Sequence, residues 1–243
     1  MLEEYQAEAI VLNRRDRREA DRLFTVFTDK YGKIELLAKG ERKILSKLRA
    51  GIELFYWTEI SFIKGKRNYI LTTTKAKDNF SSFSRDWQKL QTAQKIVTSL
   101  DLLLPLEFID ESIFVLIRES LSQLARAKNQ NQRFYHFFLW SLLKQLGDHP
   151  PLDRCVYCQS SLASFYYMVP QIGLVCPECF QNKRDIAGER IDLETIKILR
   201  LILGGEKEIF RKLKISQKNQ ENLTKISQKH LDFFSLRQRS FAV

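Results

Sequence analysis

The residues best suited to chemistry are Cys155-x2-Cys158 and, seventeen residues later, Cys176-x2-Cys179, which together account for all four cysteines of the 243-residue chain. Each C-x2-C lets a tight turn present two sulfurs to one ion, and two such turns complete a closed tetrahedron of thiolates. The spacing predicts a structural zinc site, with iron as the alternative metal. A shell closed by four sulfurs leaves no position for water, so the metal is expected to staple structure and not to catalyse. Pro177 suits the second turn, and Ser164–Val169 reads as a strand of a short hairpin between the knuckles. Arg154, Lys183 and Arg184 are placed to offset the negative charge of four thiolates around a dication. Other uses of the thiols fit less well. A redox dithiol takes one C-x-x-C at a helix start, and disulfides call for an oxidising compartment. The acidic start, Met1-Leu2-Glu3-Glu4-Tyr5, has no signal-peptide core, so a cytoplasmic location is expected.

Nothing else in the chain assembles into a catalytic set. Gly204-Gly205-Glu206-Lys207 lacks the preceding strand, the spacing and the hydroxyl of a phosphate-binding loop. No H-x-E stands beside the cysteines, which argues against a zinc deaminase. His136 falls on an aromatic helix face and reads as core, His149 as a turn residue, and His230 as part of a basic terminal helix. Asp110-Glu111 reads as capping acids of a helix. A non-enzyme is expected.

Charge points elsewhere. Lys+Arg number 40 against 29 Asp+Glu, a net +11 that favours phosphate-rich partners. Residues 1–80 hold 17 basic and 12 acidic side chains, residues 81–154 hold 9 and 8, and residues 155–243 hold 14 and 9, so polyanion contact belongs to the two ends. The candidate DNA-binding cations are Arg14, Arg15, Arg17, Arg18, Lys39, Arg42, Lys43, Lys47, Arg49, Lys64, Lys66 and Arg67, all read as loop or strand-end residues. Tyr31, Tyr56, Trp57, Phe62 and Tyr69 are the candidate base-stacking aromatics, about half of which must fill a core. No apolar run is long enough to span a membrane.

The elements that must position these cations read as strands. Tyr5–Leu12 alternates with Tyr5, Ala7, Ala9 and Val11 on one face, and Asn13–Arg18 reads as a break. Leu23–Thr28, a turn at Asp29–Gly32, and Lys33–Ala38 follow. After a basic connection over Lys39–Arg49, Ile52–Ile63 and Tyr69–Thr74 read as a hairpin. Five strands in so short a span fit a Greek-key barrel of OB type, with an SH3-like barrel as the alternative. From Asp86 the period becomes helical: Trp87 to Leu104, a face on Ile109, Ile113, Leu116, Ile117, Leu121 and Leu124, then Phe134 to Leu146. Asp192 reads as the N-cap of Leu193–Leu203, stopped by Gly204-Gly205, with Glu206–Leu213 and Gln217–Phe234 beyond. The fold class is α+β: an N-terminal five-stranded OB-type barrel over 1–80 for DNA binding, then a helical domain over 81–243 with a zinc-binding insertion at about 153–185.

Several of these residues, taken in order, carry a resemblance. Ala9-Ile10-Val11-Leu12, Glu19-Ala20-Asp21-Arg22-Leu23, Phe27-Thr28-Asp29-Lys30-Tyr31-Gly32-Lys33-Ile34, Ala38-Lys39-Gly40 and Ser46-Lys47-Leu48-Arg49 resemble the N-terminal barrel of the RecO family of bacterial recombination mediators. The likeness continues through both cysteine pairs, which many but not all members carry, and so spans nearly the whole chain. Ile172-Gly173 stands where members often have Gly-Gly, and Leu236–Phe241 matches loosely. The resemblance implies a non-enzymatic role in DNA repair and homologous recombination. The activities implied are binding single- and double-stranded DNA, annealing complementary strands, and helping RecR to load RecA onto DNA covered by single-strand-binding protein (SSB). It also implies a site for the acidic SSB tail on the helical domain, with Arg200, Lys207, Arg211, Lys212, Lys214 and Lys218 as candidates, and a nucleoid-associated cytoplasmic location. The residues alone keep one alternative: an OB-plus-zinc-ribbon protein that binds RNA in translation or ribosome assembly.

Overall fold

A computed structural model describes residues 3–66, 68–128, 132–161, 165–170, 172–183 and 186–240. The chain divides into two compact units, Met1–Tyr135 and His136–Val243. The first opens with five strands: β1 (Glu4–Arg17), β2 (Asp21–Thr28), β3 (Gly32–Ala38), β4 (Trp57–Lys64) and β5 (Tyr69–Asp78). They close into a barrel in the order β1-β2-β3-β5-β4, with β3 and β5 parallel and the other pairs antiparallel. That order is the OB arrangement, which strand count alone could not separate from an SH3-like barrel.

Alternation along the strands fills the interior. Ala7, Ala9 and Val11 meet Phe24 and Val26, Ile34 and Leu36, Ile60 and Phe62, and Leu71 inside the barrel. Ile10, Leu12, Leu23 and Phe27 are buried as well. They lie on the outer face, and α1 (Trp87–Leu103) and α2 (Glu111–Arg126) pack on β1. β1 is therefore apolar on both faces over residues 9–12.

Two sequence expectations fail in the barrel. Asn13–Arg18 is not a break, because β1 runs on to Arg17, paired with β2 as far as Arg17–Asp21. A bulge between Val11 and Asn13 breaks the alternation at Leu12, and the gain from continued pairing outweighs the polar composition. Ile52–Tyr56 is not strand, although it shows the clearest alternation. Phe55 adopts a left-handed φ of 70° and packs edge-on to Phe83, so the strand begins only at Trp57.

Helix caps follow the sequence more closely. The Asp86 carboxylate accepts from the backbone N–H of Gln88 and Lys89 at the start of α1, and Asp110 accepts from Ser112 and Ile113 at the start of α2. Ile109 precedes that cap, so it lies outside the helix and is exposed. α3 (Gln132–Gln145) crosses the division between the units.

The second unit holds a three-stranded sheet, β6 (Phe165–Val169), β7 (Gly173–Val175) and β8 (Glu189–Asp192), in the order β7-β6-β8. Its remaining helices are α4 (Pro177–Asn182), α5 (Leu193–Leu203), α6 (Lys207–Lys212) and α7 (Gln217–Ser240). Asp192 caps α5 as the sequence predicts, accepting from Thr195 N–H at 2.9 Å. β8 carries only four residues, too few for a period to show. α3 is tied to α7 through Ser227 Oγ, which lies 3.0 Å from both His136 Nδ1 and Trp140 Nε1. No helix among the described residues is long and apolar enough to cross a membrane.

Candidate nucleic-acid interface and cysteine knuckle

The bulge at Leu12 decides where the arginines of β1 point. Before it, odd-numbered residues face the barrel interior. After it, Arg14 lies opposite Phe24 and Arg15 opposite Leu23, so the odd positions face outward. Arg15 donates to Glu35 Oε1 at 2.8 Å and Arg17 to Asn68 Oδ1 at 3.3 Å. Glu35 and Asn68 line one cleft of about 290 Å³, with Lys33, Lys64, Lys66 and Tyr69. Two pairs of cations distant in sequence thus meet at one concavity: Lys64 and Lys66 line it, and Arg15 and Arg17 reach its lining residues Glu35 and Asn68; Glu107 also lines it. Among the described residues neither Lys64 nor Lys66 has a carboxylate within ion-pairing distance.

Arg14 goes the other way and pairs with Glu53. On the same side Asp16 accepts from Arg22 Nε at 2.9 Å and meets Arg42 at 3.3 Å, while Arg22 also reaches buried Glu41 at 3.2 Å. The hydrogen bond from Arg22 leads the effects that hold the Asp16 carboxyl below its ordinary pKa. These pairs pin the start of the long loop between β3 and β4. From that loop Lys39, Lys43, Lys47 and Arg49 project into solvent, without ion pairs among the described residues. Arg18 is exposed in the β1–β2 turn at φ 57°, and Arg67 lies outside the described residues. The eleven described cations are therefore not one patch. They split into a cleft group of Arg15 (itself paired with Glu35), Arg17, Lys64 and Lys66, a loop group of Lys39, Lys43, Lys47 and Arg49, the turn residue Arg18, and Arg14 and Arg42, which pair with acids away from the cleft.

The aromatic candidates divide as well. Phe62 is fully buried, with Tyr5, Tyr31 and Tyr69 packed around it at centroid distances of 5.5, 5.4 and 5.2 Å. Trp57 is committed too: Lys77 and Arg118 lie over its ring and its Nε1 donates to Glu8 at 2.8 Å. Burial tends to raise the Glu8 carboxyl, but hydrogen bonds from Lys77 and Trp57 prevail and hold it below its usual range. Tyr56 is half-buried against the barrel core. Tyr31 and Tyr69 keep partly exposed edges, and Tyr69 also lines the cleft. Tyr5 and Asn68 stand at this surface without having been predicted, and Lys33 lines the cleft although its side chain is buried and bonded to Asp101 and Leu104. Only the cross-strand register brings them there.

In the second unit the sulfurs of Cys155, Cys158, Cys176 and Cys179 all lie within 4.8 Å of one another, close enough to hold one metal ion. A tetrahedral ion with sulfur bonds of about 2.3 Å sets its ligands roughly 3.8 Å apart, and Cys158 Sγ is 3.6 Å from Cys176 Sγ. All four thiols are free of disulfides. The first knuckle closes through Gln159 N–H to Cys155 O (2.9 Å), with Gln159 left-handed at φ 61°. The second is not the turn expected around Pro177: Cys176 is the N-cap of α4 and Pro177 its first residue, where a missing N–H costs nothing. Burial acts to raise the Cys155 thiol, but N–H groups of Cys158, Cys176 and Tyr157 outweigh it and bring the pKa down to about 6. Burial and the neighbouring thiols push Cys179 up to about 12. A bound cation would draw all four thiols into the thiolate form. The donor set and its spacing fit a closed site.

Gly173, one residue before Leu174 of the hairpin, adopts φ +111°, and a Cβ there would come within 2.8 Å of Pro151 O. A glycine is required at this point whatever precedes it. Lys183 lies over the Tyr157 ring at 4.5 Å, close to the first knuckle. Arg154 is exposed, and Arg184 lies outside the described residues.

The other polar candidates are structural. His136 is buried against Ser227, and His149 is exposed just after the end of α3. Of the cations proposed for an acidic tail, Arg200 is occupied by the carbonyls of Leu152 and Asp153, and Lys218 pairs with Asp192 at 3.1 Å. Lys212 and Lys214 are exposed, Lys207 makes contacts of its own, and the Arg211 side chain lies outside the described residues.

Fold and site together define a class: an OB-type barrel bordered by cations, continued in sequence by helices that carry a four-cysteine knuckle. Residues 1–80 match the family described as Recombination protein O N terminal, and residues 84–238 match Recombination protein O C terminal. The chain belongs to the RecO family of DNA repair proteins. It is 26% identical over 227 residues to the DNA repair protein RecO of Alkaliphilus metalliredigens, covering 93% of this chain and 92% of that one. It is 27% identical to that of Syntrophomonas wolfei over 90% and 86% of the two chains, and 30% identical to that of Moorella thermoacetica over 72% and 66%.

Proposed function

We propose that this chain binds single- and double-stranded DNA through its barrel domain, residues 1–80, anneals complementary strands, and acts with RecR to help load RecA onto DNA covered by SSB. One observation carries the reading: Arg15 and Arg17 from β1 meet Lys64 and Lys66 from the β4–β5 hairpin around one cleft, and the loop between β3 and β4 projects four further cations. Two strands brought to such a surface have their phosphate repulsion screened, so base pairing can nucleate on the protein without ATP and without a covalent step. Tyr69, partly exposed and lining the cleft, offers an aromatic ring for a base beside Lys64 and Lys66. Phosphate contacts carry no sequence information, so base preference is weak.

In this reading Cys155, Cys158, Cys176 and Cys179 hold zinc, whose chemistry is to cross-link the insertion at 153–185 within the helical domain, 81–243. The helical domain would offer the partner surfaces, including one for the SSB tail, and the protein would act in the cytoplasm at the nucleoid. The test is annealing of complementary oligonucleotides precoated with SSB, with and without this protein and RecR. The expected result is faster annealing that fades steeply with salt, with a binding slope near ~0.7 per phosphate contacted on single strands. No acceleration at any salt concentration would sink the proposal, and a strong preference for matched RNA would favour an RNA-binding role.

A further inference from the structure

Ile44 and Leu45 are 91% and 92% exposed, side by side in the loop between β3 and β4. The loop is not simply unpacked. Leu48, three residues on, turns inward against the barrel core, and Thr74 Oγ1 donates to its carbonyl at 3.0 Å. At the other end Gly40 N–H donates to Asp21, Arg42 N–H to Ala20 O at 3.0 Å, and Glu41 is buried against Arg22. Within the tip, Lys43 N–H donates to Gly40 O and Ser46 N–H to Lys43 O. Both stems are pinned, the tip is folded, and its two apolar side chains are held out into water. Arg42, Lys43, Lys47 and Arg49 flank them, and the nearest acid, Glu41, is consumed by Arg22.

We infer that Ile44 and Leu45 are a wedge that enters between neighbouring bases of a bound DNA strand while the flanking cations hold its phosphates. An apolar pair set inside a ring of positive charge calls for an occupant that is flat and apolar within and anionic without, and an unstacked base step has that form. Aliphatic side chains inserted between bases are a known way of opening a stack. Two side chains present too little apolar area to hold a bilayer. Strands held unstacked in this way would be ready to pair. The inference rests on the DNA-binding reading above and adds a site to it.

The test uses the full chain and a single-stranded oligonucleotide containing 2-aminopurine, whose emission rises when it is unstacked. The parent protein should raise the emission. Ile44→Ser with Leu45→Ser should bind roughly tenfold more weakly, give no rise at saturation, and keep the parent salt slope because no phosphate contact is lost. Lys43→Ala with Lys47→Ala should do the reverse, lowering the slope by about 1.4 while keeping the rise. Ile44→Trp supplies a positive readout, with indole emission quenched when bases stack on it. A double-serine variant with parent affinity and parent emission overturns the inference alone, as does a loss confined to binding anionic vesicles. A parent chain that binds no DNA overturns the proposed function and this inference with it.

Discussion

Arg14 and Arg15 are neighbours in the chain, yet Arg14 pairs with Glu53 while Arg15, on the opposite face of β1, bonds Glu35 at 2.8 Å beside the cleft. Neighbours on a strand face opposite ways, and the extra residue at Leu12 sets which of these two arginines takes which face.

Replacing Arg15, Arg17, Lys64 and Lys66 together by Ala should weaken DNA binding at every sequence alike. If all four touch phosphate, the salt slope on single strands should fall by about 2.8. Arg14→Ala should change affinity far less: both arginines are paired with a glutamate, but Arg14 faces away from the cleft and its side chain is 34% exposed against 67% for Arg15. Titrations by fluorescence anisotropy at several salt concentrations distinguish the two, and equal effects from both variants would mean that the cleft has no special part.

The knuckle predicts one metal ion per chain. Chelation should release that ion, measured colorimetrically, and lower the thermal midpoint. Cys158→Ser, at an exposed ligand position, should abolish tight metal binding with little repacking, whereas Cys155→Ser adds the cost of a buried hydroxyl. Purified protein free of bound metal yet equally stable would show that the thiols serve another end.

Lys33 is a buried cation of the first unit, 5% exposed. Its Nζ donates to the carbonyls of Asp101 and Leu104 at 2.8 and 2.7 Å and pairs with the Asp101 carboxylate at 2.8 Å, capping the C-terminal end of α1 from β3. Beside it Gly32 is left-handed, and a Cβ there would lie 1.9 Å from Phe108 O, the same carbonyl that accepts Lys33 N–H at 3.1 Å. Lys33→Ala should cost about 2–4 kcal/mol through stranded carbonyls, and Gly32→Ala at least as much through backbone displacement. Denaturant unfolding of each variant measures both, and losses below about 1 kcal/mol would contradict the docking described.

His230 is fully buried in α7 against Trp140. Its Nδ1–H donates to Ile226 O at 2.8 Å, and Nε2 has no hydrogen-bond partner among the described residues. Burial pushes its pKa down to about 4, against an opposing contribution from that bond. The unfolded side chain, near 6.5, therefore takes up a proton that the folded one refuses. Its stabilising contribution is full above about pH 6.5 and is lost as pH falls towards 4, on the order of 3 kcal/mol in all. His230→Leu should flatten the stability profile between pH 7 and pH 5, with metal content followed in parallel because thiolates also take up protons. An unchanged slope would place the acid sensitivity elsewhere.

Much of this was legible locally. The cysteine spacing, the Asp110 and Asp192 caps, the change to helical period at Asp86 and the strand composition of β2 and β3 depend on residues a few positions apart, where side-chain chemistry and backbone geometry settle the matter together. Ile52–Tyr56 misled because strict alternation signals a half-buried surface and does not say whether a partner strand exists. Phe55, left-handed and packed on Phe83, keeps only a local exchange with β1 at the bulge, its N–H to Val11 O at 3.0 Å and Val11 N–H to Tyr56 O at 3.1 Å, and no continuing ladder. Pro177 was placed rightly beside the second thiol pair, but a short run cannot distinguish a turn from the first residue of a helix.

The sequence by itself determined a barrel of five strands, a helical remainder and a set of four thiols, because periodicity, caps and ligand spacing are written at short range. Only the tertiary structure decided which cations share a surface. A single bulge at Leu12 reverses the facing of Arg15 and Arg17, and the parallel contact of β3 with β5 brings Glu35 and Lys64 to one cleft. Long-range register controls both, and no window along the chain contains it. The same holds for the apolar tip: Ile44, Leu45 and Leu48 look alike in sequence, and only the barrel wall determines which of them has something to pack against.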